Sequence, residues 1–358
     1  MKILITGNMG YIGPCVVERL RLSYPDATLI GLDIGYFASC LTNAQIFPEC
    51  RVDQQYFADV RDLPSGLLDG VDAVIHLAAI SNDPMGKAFE DITLDINHRA
   101  SINLARKAKM AGVRSFVFAS SCSMYGTAED RPRTEDSPLN PLTAYAKSKV
   151  LTENDLQELS GNGFKVTCLR FSTACGMSDR LRLDLVLNDF VAGAVAASEI
   201  TILSDGTPWR PLIHVKDMAK AIEWATIRSI TAGGAYLAVN VGSDKWNYQI
   251  RQLAEAVAEV IPGVTVSINQ NAMPDKRSYR VNFDLFKQLA PEFQPDMDLI
   301  STIKGLKNGL EEMGFKDPDF RNSNFMRLKV LTNLRNKGYL SENLEWCKYR
   351  TAVRIGAK

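Results

Sequence analysis

The most constraining feature of this chain is a glycine-rich segment that directly follows its first apolar run. Residues 2–6 predict a short buried parallel strand, and residues 15–20 have helical spacing. Between them, Gly7 allows a turn, Gly10 allows close approach of a phosphate, and Gly13 allows the helix to pack on the strand. Because the helix would present free N–H groups, this segment predicts a site for a dinucleotide pyrophosphate. The alternative is an ordinary tight turn.

An acidic residue at the end of the next apolar run strengthens the prediction. The run 28–33 ends at Asp33, 20 residues after Gly13, where a carboxylate would receive the adenosine ribose hydroxyls. A carboxylate there repels a 2′-phosphate, and no Arg or Lys follows before Arg51, which favours NAD over NADP. Asp59 either lies beside the adenine or is a solvated turn residue.

Alternation of strand and helix patterns continues through the first half. Strands are predicted near 71–79 and 115–121, and a helix over 96–111 that ends before Gly112. We therefore predict an α/β fold, a Rossmann-type doubly wound parallel sheet with a smaller C-terminal α/β substrate-binding lobe. Ligands would gather at the carboxyl ends of the strands. His76 has apolar neighbours and is expected to be a core residue.

Tyr145 and Lys149 are four residues apart and would share one helix face. A nearby ammonium group favours a phenolate, so Tyr145 could act as a base despite an ordinary pKa near 10. Ser121, at the end of its strand, can hydrogen-bond the reacting oxygen. An exposed helix pair is the alternative, but the glycine segment and Asp33 favour an enzyme that moves hydride to and from an alcohol carbon.

The chain resembles the extended short-chain dehydrogenases/reductases of the nucleotide-sugar epimerase/dehydratase kind over roughly residues 1–315. The residues that carry the resemblance are Thr6, Gly7, Gly10, Gly13, Asp33, Asp59, 76–79, Asn97, 120–126, Tyr145, Lys149, 170–173, Trp209, Arg210 and 214–217.

The resemblance implies catalysis by Ser121, Tyr145 and Lys149, with Asn97 completing a proton network through water. The cofactor would be NAD, and its binding residues would be Gly7, Gly10, Tyr11, Ile12, Gly13, Asp33, Asp59, Val60, Leu77, Ala78, Ala79, Asn97, Tyr145 and Lys149.

The substrate implied is a nucleotide-diphosphate sugar, whose pyrophosphate Arg210 would meet. Arg180 and Arg182 offer bidentate guanidinium groups to phosphates or sugar, or else they begin a solvated helix. Arg277 and Arg280 are further pyrophosphate candidates. The predicted substrate-binding residues are Ser123, Thr173, Arg182, Asn188, Arg210 and Arg280.

Departures from the family matter for the reaction. Where the 4,6-dehydratase branch has an Asp-Glu pair, this chain has Cys122 and Ser123, which counts against a dehydratase. Thr173 replaces a familiar Asn, so a carboxamide contact to the substrate could be absent. Cys122, Ser123 and Cys175 either act as acid or base at another ring carbon or are small packed residues.

Three regions are predicted. They are an NAD-binding domain over 1–175 with parts of 215–240, a discontinuous nucleotide-sugar lobe over 176–315, and a basic helical tail over 316–358. In the tail, Phe325, Leu328, Leu331 and Leu334 form an apolar stripe. The tail either docks on its own domain or is an arm that covers a neighbouring subunit or the nucleotide.

Composition limits the remaining possibilities. The 358 residues have no net charge and 46% apolar content, and they contain no apolar stretch long enough for a membrane span. Seven scattered cysteines and three distant histidines indicate reduced thiols and no metal site. We expect a cytoplasmic homodimer without a leader segment, with no nucleic-acid or membrane partner.

The leading functional hypothesis is an NAD-dependent epimerase that transiently oxidises a nucleotide-diphosphate sugar, at C4. The alternatives are a nucleotide-sugar 4-dehydrogenase, a dehydratase, or a non-catalytic NAD sensor on the same fold.

Overall fold

The computed structural model describes residues 1–42, 44–127, 131–268 and 277–348. Residues 269–276 of the predicted lobe and residues 349–358 of the predicted tail therefore lie outside the described residues. Within the described residues, every helix is too short or too polar to cross a membrane.

Seven parallel strands form the central sheet. The described strands are β1 (Lys2–Thr6), β2 (Thr28–Asp33), β3 (Gln54–Phe57), β4 (Ala73–His76), β5 (Ser115–Ser121), β6 (Lys165–Phe171), β7 (Thr173–Cys175), β8 (Glu199–Ile202), β9 (Trp209–His214), β10 (Tyr236–Val241), β11 (Asn247–Gln249) and β12 (Thr265–Ile268). The order in the central sheet is β10-β6-β5-β4-β1-β2-β3, and the chain reverses direction across the sheet between β1 and β4. A ligand crevice is expected at that switch point.

Helices cover both faces of this sheet. The α-helices of the described chain are α1 (Gly13–Ser23), α2 (Asp83–Ala88), α3 (Glu90–Leu94), α4 (Ser101–Met110), α5 (Ala144–Leu159), α6 (Val186–Ala197), α7 (Val215–Ile227), α8 (Ile250–Val260), α9 (Asp284–Leu289), α10 (Leu299–Glu312) and α11 (Arg327–Asn336). The helix predicted over 96–111 is divided, because residues Asp95–Ala100 form a π-helical turn before α4.

Alternate residues of the strands enter two separate cores. Ile3 and Ile5 of β1 face one core, and Leu4 faces the other, as the period of two in a strand requires. Both faces of the central strands are thus buried, which is why these strands are continuously apolar. The predicted Rossmann-type fold is confirmed.

Two small sheets lie outside the central one. Strand β9 pairs with β7 in parallel and with β11 in antiparallel orientation, while β8 and β12 form a parallel pair. These strands lie after β6 in the chain, whereas β10 returns to the central sheet. The boundaries of the predicted domains stay a prediction.

The C-terminal segment docks on its own chain. Leu331 of α11 is fully buried in the same core as Leu4, together with Leu340 and Leu344. Phe325 precedes the helix, so the predicted stripe is only partly helical, and this residue packs on the other core.

Candidate active site

A cavity of about 780 Å³ opens at the carboxyl ends of the central strands. This volume lies within the range of roughly 300–1,000 Å³ that ligand sites occupy. Residues from the loops after β1, β2, β4, β5 and β6 line it, and so do residues 182–186, Asp189, Phe190 and part of the C-terminal segment. Residues from both halves of the chain therefore line one cavity.

The glycine segment forms a backbone cradle at one side of this cavity. Gly7 has φ +75°, and a Cβ there would meet the Ala78 backbone nitrogen at 2.5 Å. A Cβ on Gly13 would overlap the Asn8 carbonyl, so only glycine lets α1 begin where it does. Gly7 and Gly10 line the cavity and Gly13 does not. The cradle fits a pyrophosphate at the N-terminus of α1.

Asp33 lines the cavity at the end of β2. Its carboxylate accepts hydrogen bonds from the backbone N–H of Met9 at 3.0 Å and of Gly35 at 2.7 Å. Burial raises its pKa, while these two bonds oppose that shift. No ion pair joins Asp33 to a Lys or Arg of the described residues, so its carboxylate can still accept hydrogen bonds from the hydroxyls of a ribose.

Asp59 also lines the cavity, but its carboxylate is engaged by Arg61. The Arg61 guanidinium donates to both of its oxygens, at distances from 2.6 to 3.1 Å. Val60, Leu77, Ala78 and Ala79 line the same region. Asp59 thus orders the loop after β3 beside the cavity.

Ser121 and Tyr145 meet at the end of β5. Thr143 caps α5 by accepting a hydrogen bond from the Ala146 N–H at 3.1 Å, which fixes the start of the helix that carries Tyr145. Ser121 lies close enough to Tyr145 to oppose the rise of its pKa, and the Ser121 Oγ donates to the Ser123 Oγ at 3.0 Å. Tyr145, Ser121 and Ser123 all line the cavity.

Lys149 lies one turn further along α5 and is buried. Its Nζ donates to the Ala119 carbonyl at 2.7 Å and is 5.5 Å from the centroid of the Tyr145 ring. Burial lowers the pKa of Lys149 to about 7, with the Glu153 carboxylate opposing the shift. The ammonium group is therefore held beside the phenol by a backbone carbonyl.

The expectation that Lys149 favours the Tyr145 phenolate stays a prediction, and in the free chain burial acts against the phenolate. Burial raises the pKa of Tyr145 to about 12, and the neighbouring Ser121 side chain only opposes this shift. The reason is that both groups lose hydration, which disfavours the charged form of each. Additional positive charge in the cavity is needed before Tyr145 ionises near neutral pH.

Two asparagines predicted as binding residues are engaged by the protein. Asn97 lies in the π-helical turn, where it bonds both backbone groups of Ile80 and donates to Ser148 Oγ at 3.1 Å. Asn188 bonds the Gly176 N–H, the Arg182 carbonyl and the Tyr11 hydroxyl. Neither lines the cavity, so each positions residues that do.

The predicted arginines also differ in position. Arg182 and Arg210 line the cavity, whereas Arg180 and Arg280 do not. Arg280 stacks over the Trp209 ring at 5.3 Å. Arg180 is buried and donates to the carbonyls of Phe37 and Ala38 and to Glu49. Arg180 therefore stabilises the loop after β2.

Thr173 lines the cavity, as does Arg277, which pairs with Asp83 at 2.7 Å. Cys122 and Cys175 are fully buried and do not line it. The Cys122 thiol donates to the Arg170 carbonyl, and burial raises its pKa. Of the two readings offered for these cysteines, the structure supports small packed residues.

Sequence reasoning missed several cavity residues. Ser81 and Asp184 lie on loops without a motif, Asp83 begins α2, and Arg321, Met326 and Arg327 come from the C-terminal segment. The excess of positive charge in residues 316–358 was the one available signal for the arginines.

The glycine cradle, the strand-end acid and the Ser-Tyr-Lys cluster together define a dinucleotide-dependent enzyme of the extended short-chain dehydrogenase/reductase class. The sequence profile of the NAD dependent epimerase/dehydratase family matches residues 3–242. The chain belongs to this family, as the resemblance predicted, and its cofactor is NAD.

Relatives of known sequence agree with this assignment. Over 234 residues the chain is 31% identical to an uncharacterized UDP-glucose epimerase, YtcB, of Bacillus subtilis strain 168, covering 62% of this chain and 71% of the relative. It is 29% identical to a UDP-glucose 4-epimerase of Lactobacillus helveticus over 240 residues, covering 62% and 70%.

Solved structures share the fold at low sequence identity. TunA, an NAD-dependent NDP-hexosamine 5,6-dehydratase of tunicamycin biosynthesis, superposes with a TM-score of 0.75 at 24% identity, covering 89% of this chain and 99% of that one. MoeE5 in complex with UDP-glucose and NAD has a TM-score of 0.73 at 22% identity, covering 87% and 99%. The likeness thus extends beyond residue 242.

Proposed function

We propose that this enzyme is an epimerase of a nucleotide-diphosphate sugar that works by transient oxidation at C4. The observation that carries the proposal is the position of Tyr145 beside Ser121 and buried Lys149, in the cavity that also contains the glycine cradle. When bound, NAD supplies the acceptance and return of hydride.

The side chains would share the proton transfer. Ser121 would hold the sugar hydroxyl, and Tyr145 would take its proton during oxidation and give it back during reduction. Lys149 would stabilise the phenolate through its charge. Because Tyr145 starts with a raised pKa, it is a strong base once ionised and a weak acid when it returns the proton.

The acids of the cavity support an epimerase over a dehydratase. Loss of water needs a carboxylic acid or another group that is free to protonate a leaving hydroxyl. No glutamate of the described residues lines the cavity, and its aspartates are each engaged by other groups. Two backbone amides donate to Asp33, and Arg61 donates to Asp59. Arg277 and Thr143 donate to Asp83, Arg182 and Asn82 donate to Asp184, and Arg321 donates to Asp189.

The substrate side fits a diphosphate. Arg210 and Arg277 line the cavity near Tyr279, and Arg182 lines it near Ser81. The named relatives are UDP-glucose epimerases, so UDP-sugars are the first substrates to test.

The test combines a substitution with a mass measurement. Tyr145→Phe should reduce hydride transfer by about a hundredfold or more and leave NAD bound, because only the hydroxyl carries the proton. Tyr24→Phe, whose ring does not line the cavity, is the control. With the parent enzyme and a panel of UDP- and dTDP-sugars, epimerisation leaves the product mass unchanged. A product lighter by one water, or by two hydrogens, would contradict the proposal.

A further inference from the structure

Arg327, the first residue of α11, is a buried cation on the wall of the cavity. Its side chain is 1% exposed, and its Nη2 donates to the Arg180 carbonyl at 2.7 Å. Its Nη1 is buried and has no hydrogen-bond partner among the described residues. A buried guanidinium N–H without a partner is unfavourable, so this atom indicates a missing acceptor.

Arg327 differs from two neighbouring arginines in its ion pairs. Arg180 pairs with Glu49 at 2.7 Å and Arg182 pairs with Asp184 at 2.6 Å. No carboxylate of the described chain forms an ion pair with Arg327, whose pKa burial lowers to about 10. The Arg327 guanidinium therefore has no carboxylate partner among the described residues, and an anion bound in the cavity would provide one.

The position of Arg327 points to the cofactor's side of the cavity. Its guanidinium lies 4.6 Å from the centroid of the Phe37 ring, in the loop that follows Asp33. Arg180, to whose carbonyl it donates, is itself bonded to the Phe37 and Ala38 carbonyls. Arg210 and Arg277, by contrast, lie by Tyr279 and Asp83.

The rest of the C-terminal segment contacts the loop after β2 and the loop after β3. Trp346 donates its indole N–H to the Ile34 carbonyl at 2.6 Å, and the Tyr36 hydroxyl donates to the Leu344 carbonyl. Arg61, which engages Asp59, donates to the Asn343 carbonyl at 2.9 Å. The segment thus ties down the loops after β2 and β3, on which adenosine recognition would depend.

We propose that Arg327 binds a phosphate of the bound dinucleotide, and that the C-terminal segment holds the cofactor in its site. The profile of the family ends at residue 242, so this contact comes from outside the matched region. The inference rests on the NAD dependence of the proposed function and adds a binding residue to it. A pyrophosphate could also come from the substrate, and the experiment separates the two sources.

The experiment measures binding without turnover. Full-length protein freed of nucleotide is titrated calorimetrically with NAD, ADP-ribose and UDP, using the parent, Arg327→Met, Arg327→Lys and Lys329→Met. Lys329 is an exposed cation in the same helix and serves as the matched control. We expect Arg327→Met to raise the Kd of NAD and of ADP-ribose at least tenfold, and Arg327→Lys to raise them less. The Kd of UDP should not change, and Lys329→Met should match the parent.

Two results would overturn the proposal. One is an NAD Kd within twofold of the parent in Arg327→Met, and the other is a loss of UDP affinity as large as the loss of NAD affinity. If Arg327→Met does not fold, Arg327→Lys decides, because it keeps the charge but loses the planar fork. An NAD Kd unchanged in that variant would also overturn it. Failure of the epimerase proposal would appear only in turnover and leave these binding constants intact.

Discussion

Arg170 and Arg327 are both buried arginines, but the described residues supply a carboxylate partner only for Arg170. Arg170 donates to both carboxylate oxygens of Glu153, to the Tyr125 hydroxyl and to the Glu135 carbonyl. Arg327 has one hydrogen bond to a backbone carbonyl, and its Nη1 has no partner among the described residues. The first cluster contains its own carboxylate, whereas the second has a buried N–H without a partner among the described residues.

The two clusters also differ in what they hold together. Glu153 belongs to α5, the helix of Tyr145 and Lys149, and Arg170 belongs to β6. Their ion pair fixes the catalytic helix on the sheet, and Ser120 donates to the same carboxylate at 2.5 Å. Arg327 instead joins the C-terminal segment to a loop of the cofactor site. Arg170 therefore has a structural role with a partner from the chain itself, and the partner proposed for Arg327 is a ligand.

The largest expected effect comes from breaking the cluster of Arg170 and Glu153. Glu153→Ala leaves Arg170 buried without its carboxylate, so we expect a loss of about 3–5 kcal/mol in the free energy of unfolding. Glu158→Ala, an exposed position on the same helix, should change it little. Urea denaturation of both variants provides the measurement. A loss below about 1 kcal/mol for Glu153→Ala would mean that the pair is not structural.

Lys149 is another buried cation, and its contribution to the stability of the protein should depend on pH. Its pKa falls from an ordinary 10.5 to about 7 in the folded chain. The unfolded chain therefore binds more protons between these values, and the contribution of Lys149 to stability rises with pH there. The slope is at most about 1.4 kcal/mol per pH unit.

The measurement compares Lys149→Met with the parent between pH 6 and 9. Below pH 7 the free energy of unfolding of Lys149→Met should exceed that of the parent by the largest amount, and this difference should shrink as pH rises. Lys147→Met, exposed on the same helix, should follow the parent at every pH. A constant difference between Lys149→Met and the parent would show that Lys149 keeps its ordinary pKa.

Asp33 and Glu153 are two carboxylates with different partners. Unlike Glu153, it is held by backbone amides alone and faces the cavity. We expect Asp33→Asn to reduce the ratio of NAD to NADP affinity by about tenfold, because the charge that repels a 2′-phosphate is lost. Asp26→Asn, at an exposed position, is the control. Equal binding of NAD and NADP by the parent would refute this assignment.

The smallest effect is expected for the stability of the free protein after Arg327→Met. Removing an unpaired buried cation relieves its desolvation, which offsets the lost hydrogen bond to the Arg180 carbonyl. The free energy of unfolding without NAD should stay within about 1 kcal/mol of the parent. Stabilisation by added NAD should decrease. A loss of 3 kcal/mol or more in the free chain would place Arg327 with Arg170 as a structural residue.

The sequence by itself determined the features that depend on short spacings. The strand–glycine–helix order, Asp33 at the end of β2, and Tyr145 and Lys149 on one face of α5 all follow from local geometry. Backbone sterics and helix periodicity act within a few residues, so a pattern in the chain is enough to predict them.

Tertiary structure alone decided which polar residues reach the cavity. Asn97 and Asn188 have the residue type of a binding group, yet backbone groups that folding places beside them engage their side chains. Arg180 and Arg182 differ by two positions, and only Arg182 lines the cavity.

The same holds for charge and for the C-terminal segment. Burial of Tyr145 and Lys149 moves both pKa values away from those expected for an exposed pair. Arg327 is separated from Phe37 by 290 residues, and no local pattern could predict their contact. Desolvation and long-range packing depend on the whole fold, because each arises from groups that are distant in the chain.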